Sequence, residues 1–89
     1  MGVEYPNKIS IREANTRFGS CNNKKNIMIN LRLFLAPEKI LDYVIIHELC
    51  HLVHLNHSKD FWLLVEKHCR LYKSYKMWLK QHALELWIK

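Results

Sequence analysis

At 89 residues the chain has room for one domain, spanning 1–89, with a small core. Its composition, 49% hydrophobic and 25% charged with two glycines and two prolines, excludes disordered and low-complexity classes. The formal charge of +6 favours acidic or phosphorylated partners, yet the basic residues scatter from Lys8 to Lys89 with only Lys24 and Lys25 adjacent, the pattern of a solvated surface more than of a nucleic-acid footprint.

The first ten residues, MGVEYPNKIS, hold no apolar core of signal-peptide length. The chain enters structure almost directly, as a fragment of a longer protein also would. Lys8 to Arg12 alternates apolar and polar residues as a short strand, and Arg17 to Cys21 reads as a second. Asn22 to Asn26 is turn chemistry, since Asn tolerates the left-handed conformation. Ile27, Ile29, Leu31, Leu33 and Leu35 then alternate with Met28, Asn30, Arg32 and Phe34, the longest strand pattern in the chain. Three such segments predict a small antiparallel sheet in meander order.

Helical patterns follow. Pro37 suits a first helical turn, with Glu38 beside it at the positive helix end. Ile40, Leu41, Val44, Ile45, Leu49 and Leu52 form a core stripe, and Tyr43, Ile46 and Val53 carry apolar character almost all round, so this helix is expected at the centre of the domain. Asn56 is its expected end. Ser58 is an N-cap for a second helix, Lys59 to about Arg70, with Phe61, Trp62, Leu64, Val65 and Cys69 inward. Ser74 caps a third, with Tyr75, Trp78, Leu79 and Leu86 as its stripe. The fold class is α+β, about three strands followed by three helices. Three cysteines, Cys21, Cys50 and Cys69, form no disulfide framework, and no charge-free run reaches membrane length, so a cytoplasmic protein without membrane contact is expected.

The chemistry concentrates between His47 and His57, which holds four of the six histidines and the pattern HExxH. On a helix His47 and His51 lie one turn apart on one face, close enough to share an ion. A catalytic zinc takes three protein ligands and keeps a position for water. Three residues compete for the third place. His57, beyond the helix end, ranks first. Glu66 on the next helix ranks second. His54 ranks third, because seven residues of helix separate it from His47 by about 10 Å. Glu48 is then the base that hydrolysis needs and zinc binding does not. Isolated HExxH also arises by chance, but several unpaired imidazoles on a buried helix would be costly without a metal. Cys50 points off the metal face and reads as packing. His68 and His82 read as ordinary helix positions, Trp62, Trp78 and Trp87 as core, and Tyr72 and Tyr75 as packing before oxyanion donors.

The ordered blocks Arg17-Phe18-Gly19-Ser20-Cys21, Asn26 to Leu33, Ala36-Pro37, Leu41 to Val44, His47 to Leu52, and Asn56-His57-Ser58 with Phe61-Trp62 resemble the YgjP-like zinc metallopeptidase family over most of the chain. The resemblance implies a zincin-like minimal core, zinc on His47, His51 and His57, and Glu48 as the catalytic glutamate. It moves Glu66 down. Phe18 stands where the family usually has Trp, and Lys25 where a turn glycine is common. The family's β-rich N-terminal region has no counterpart here. The histidine spacing is also similar to the metzincin HExxHxxGxxH, but His54 replaces the bending glycine. In zincins a strand beside the catalytic helix pairs with extended substrate, and the Ile27 to Leu35 strand is that strand or its neighbour.

The leading expectation is a metallopeptidase acting on peptide or protein. One alternative is a metal-dependent nucleoside triphosphate pyrophosphatase, with Arg17, Arg32, Lys24 and Lys25 as phosphate contacts. A second is a non-catalytic, metal-containing module that binds nucleic acid or protein, against which an intact Glu48 argues.

Overall fold

The computed structural model of the chain describes residues 5–86. Three strands, β1 (Lys8–Arg12), β2 (Gly19–Cys21) and β3 (Asn26–Asn30), precede a 3-10 segment (Leu31–Leu35) and three helices, α1 (Glu38–Cys50), α2 (Lys59–His68) and α3 (Tyr72–His82). The α+β class and the order of strands then helices are as the sequence implies. Trp87 lies outside the described residues.

The sheet is mixed, not an antiparallel meander. Its order is β1-β3-β2, with β2 antiparallel and β1 parallel to the central β3. The reason is Asn30, which is fully buried at the end of β3. Its Nδ2 donates to the carbonyls of Ala14 (2.9 Å) and Arg17 (2.7 Å), and its backbone N–H to Phe18 (2.9 Å). These bonds hold the link from β1 to β2 as it crosses the end of β3, which puts the first two strands on opposite sides of the third. Arg32 braces the same crossing, donating to the Ala14 carbonyl (3.2 Å) and pairing with Glu13 (2.7 Å). Each buried partner left unpaired there would cost about 1–3 kcal/mol.

Asn30 also ends the strand. Its Oδ1 accepts from the Arg32 N–H at 2.9 Å and caps the 3-10 segment, so the strand pattern expected to run to Leu35 stops five residues early. Of the apolar residues in that segment only Leu33 is buried. The β2–β3 turn is closed by the Asn22 side chain, which accepts from Lys24 and Asn26. Its left-handed residue is Lys25, with φ 63°, rather than an asparagine.

Paired residues share a face of the sheet, so Ile27 and Ile29 of β3 and Cys21 and Gly19 of β2 all face α1. Ile27, Ile29, Ile40, Tyr43, Val44, Phe61 and Val65 form the heart of the core. Pro37 occupies the cap position of α1, and the helix ends at Cys50, six residues before the expected Asn56; residues 51–53 form a turn. Cys50 is fully buried, as expected of a packing residue. Ser58 caps α2 through its side chain, accepting from Phe61 N–H at 3.3 Å, and that helix closes at His68. Ser74 does not cap α3, which begins at Tyr72 after Leu71, with Ser74 already inside its first turn.

Candidate metal centre

One helix and the loop after it deliver the histidines. His47 lies in the last turn of α1, His51 at its C-cap, and His57 in the loop just ahead of the α2 cap. Their Nε2 atoms converge: His51 to His57 is 3.1 Å and His57 to His47 is 3.3 Å. Nitrogens bound tetrahedrally at zinc distances of about 2.0–2.1 Å would sit about 3.3 Å apart. The donor set therefore fits one metal ion, and these three could hold it. The early end of α1 is what allows this. Beyond Cys50 the chain leaves the helical path, and His57 returns to the face its helix register would have denied it.

His54 takes a different part from the one its position suggests. It is not on the helix, and its backbone carbonyl lies 3.0 Å from Nδ1 of His51. With its proton on Nδ1, His51 donates to that carbonyl and keeps the Nε2 lone pair toward the other two rings, an orienting contact typical of metal-binding imidazoles. The paired aromatics of α2 hold the rings from the other side. Phe61 stacks on His51 (4.4 Å between centroids, 24°), and Trp62 stacks on His57 (5.8 Å, 24°). Glu66 is exposed and outside the converging group. His68 is exposed, and His82 stacks on Trp78 while its Nδ1 meets the Trp78 carbonyl, so both are helix positions away from the centre.

Burial controls the protonation of the centre. It pushes His47 down to about 4, helped by His51, His57 and Lys76, and it also lowers His51. Burial thus favours the neutral form of both rings, the form that binds metal. Burial raises the Glu48 carboxyl to about 7. Glu48 is 5% exposed yet borders a cavity of about 730 Å³ that His47 and His57 also line. Phe18, Tyr43, Val44 and Trp62 form much of its apolar wall. None of Arg17, Arg32, Lys24 and Lys25 lines it.

The sequence reading did not single out Gly19, Lys76, Lys80 or Ala83 for the cavity, and it read Trp62 as core. Gly19 carried a signal, being one of only two glycines, inside a strand. A Cβ there would come within 2.9 Å of the Met28 carbonyl and 3.1 Å of Cγ and Oε2 of Glu48. The strand passes so close to the carboxylate that only hydrogen fits. Gly19→Ala is therefore expected to cost about 1–3 kcal/mol in chemical denaturation, because backbone and Glu48 must both give way. An unchanged denaturation midpoint would refute that tight approach.

A sequence model of the family described as YgjP-like, metallopeptidase domain, matches residues 1–82. Neither the curated proteins nor the solved structures yielded a match. Among the described residues no helix is long and apolar enough to cross a membrane.

Proposed function

The chain belongs to the YgjP-like metallopeptidase family, and from that premise we propose that it is a zinc-dependent peptidase in which His47, His51 and His57 hold the ion and Glu48 is the general base. The observation that carries this reading is the convergence of three imidazole nitrogens beside a buried carboxylate that opens onto a cavity. When bound, the ion supplies Lewis acidity, making a water more acidic and a substrate carbonyl more electrophilic. Glu48 accepts the proton of the attacking water and returns it to the leaving amine nitrogen. Burial raises this carboxyl to about 7 in the metal-free chain and a bound dication would favour its carboxylate, the form that accepts the proton. His51, fixed through the His54 carbonyl, and His57, backed by Trp62, keep the donor atoms aimed.

The substrate is an extended peptide. β2 is an edge strand packed beside Glu48, and β3 is its inner neighbour, so β2 is the strand positioned to pair with a peptide running past the base. Three free thiols suit a reducing compartment, and we place the protein in the cytoplasm. A pyrophosphatase reading lacks its contacts, since none of the four cations proposed for it borders the cavity.

The test is cleavage of an unfolded protein by the zinc-loaded chain. Turnover is expected, with loss on chelation and recovery when zinc is restored. Cleavage indifferent to chelation, or pyrophosphate release from nucleoside triphosphates without any peptide cleavage, would overturn the reading.

A further inference from the structure

α3 lies across the cavity from the catalytic helix and turns the stripe Lys76, Leu79, Lys80, Ala83 toward it, at helical spacing. Two lysines one turn apart thus border the same space as His47, Glu48 and His57. Among the described residues Glu48 is the only carboxylate lining that cavity, and neither lysine has a carboxylate partner. Lys76 is held in place, with Nζ 4.3 Å from the centroid of Trp62, itself a cavity wall. Both lysines are exposed at the rim of a concave site with apolar walls, so salt screens them only in part on the cavity side.

We propose that Lys76 and Lys80 are the specificity-determining residues of this site and that they select peptides carrying a carboxylate next to the cleaved bond. The inference rests on the peptidase reading above. An apolar wall with two cations at its rim accommodates a short apolar side chain followed by an acidic group, and repels a basic one. The carboxylate can come from an Asp or Glu side chain or from the chain's own C-terminus, and both present the same anion to the same pair.

The experiment compares three short peptides of otherwise identical sequence: one blocked at both ends with a single Glu, its Gln counterpart, and the Gln peptide with a free C-terminal carboxylate. Cleavage by the zinc-loaded protein is measured alongside calorimetric binding to the metal-free protein. Wild type is expected to prefer a carboxylate peptide by roughly five- to ten-fold at low salt, with the preference shrinking as ionic strength rises. Preference for the Glu peptide identifies a side-chain site, and preference for the free terminus a carboxypeptidase-like one. Lys76→Gln combined with Lys80→Gln should bring the ratio near one, and Lys80→Glu should lower it further. Lys67→Gln, an exposed position outside the cavity, should leave it unchanged.

Cleavage without carboxylate preference, or a preference that survives the double variant, overturns the inference and leaves the peptidase reading standing. Lysine-dependent binding of carboxylate peptides with no cleavage of any peptide supports the inference and removes the peptidase reading. Absence of lysine-dependent binding overturns the inference, as does a nucleoside triphosphate that competes better than the acidic peptide.

Discussion

His57→Ala is expected to remove about two thirds or more of the stabilisation that zinc gives the wild-type chain, while Glu66→Ala keeps it in full. The two residues were the competing third ligands by sequence, and the structure separates them. Nε2 of His57 stands 3.1 and 3.3 Å from its two partners, whereas Glu66 is exposed outside the group. Even an outer-shell partner typically accounts for 10- to 100-fold in metal affinity, so losing a direct ligand should cost more than about 100-fold. At an ion concentration of a thousand times the wild-type Kd, binding stabilises the native state by about 4 kcal/mol. For a chain of this size that is a rise in Tm of roughly 15–30 °C. His57 is exposed in a loop, so the metal-free variant should melt close to metal-free wild type. Melting curves with and without zinc, paired with metal content after gel filtration, read both effects. Zinc retained by His57→Ala and lost by Glu66→Ala would dismantle the assignment.

The legible part of this site was the part written locally. His47, His51 and His57 fall within eleven residues, and Ser58 announces α2 by a capping rule that needs only its neighbours. What stayed hidden depends on contacts distant in sequence. Alternation tells which face a residue occupies and not which strand lies beside it. The parallel placement of β1 hangs on the Asn30 amide reaching back to Ala14 and Arg17, and Asn30 reads as an ordinary strand position. The early end of α1 has no glycine or proline to mark it. It coincides with a tertiary arrangement, His51 bonded to the His54 carbonyl and stacked on Phe61. Lys76 and Lys80 read as a solvated helix face, because nothing in α3 itself says that a cavity lies on that side.

The hidden features converge on one purpose. The crossing held by Asn30 positions β2, whose Gly19 lets the strand touch Glu48. The broken helix end frees His57, and α3 closes the far wall. In the absence of an ion this is an uncomfortable arrangement, a buried carboxyl group beside a half-buried and a buried imidazole, and the discomfort has a measurable sign.

Glu48→Gln is expected to lose about 10²–10⁴-fold in turnover with zinc still bound, the range general-base catalysis supplies. The same substitution should stabilise the metal-free protein at alkaline pH. In the unfolded chain Glu48 ionises near its ordinary 4.5, while burial holds it protonated in the native state until about 7. As pH rises through that window the unfolded state sheds a proton that the native state keeps, so native stability falls, and the loss is complete above about 7. Glutamine has no proton to lose. At about pH 8 the variant should therefore exceed metal-free wild type by on the order of 2–3 kcal/mol, and the two should agree below about pH 4.5. His47 acts on the other limb: its lowered value contributes stability above 6.5 that disappears as pH falls toward about 4, and that limb should be common to both proteins. Zinc should narrow the alkaline gap, because a nearby dication favours the carboxylate that burial penalises. Denaturation midpoints across this pH range, with turnover and metal content, test the whole chain of reasoning. Full activity in the zinc-bound variant would remove Glu48 as the base, and a variant less stable than wild type at alkaline pH would remove burial as the force that tunes it.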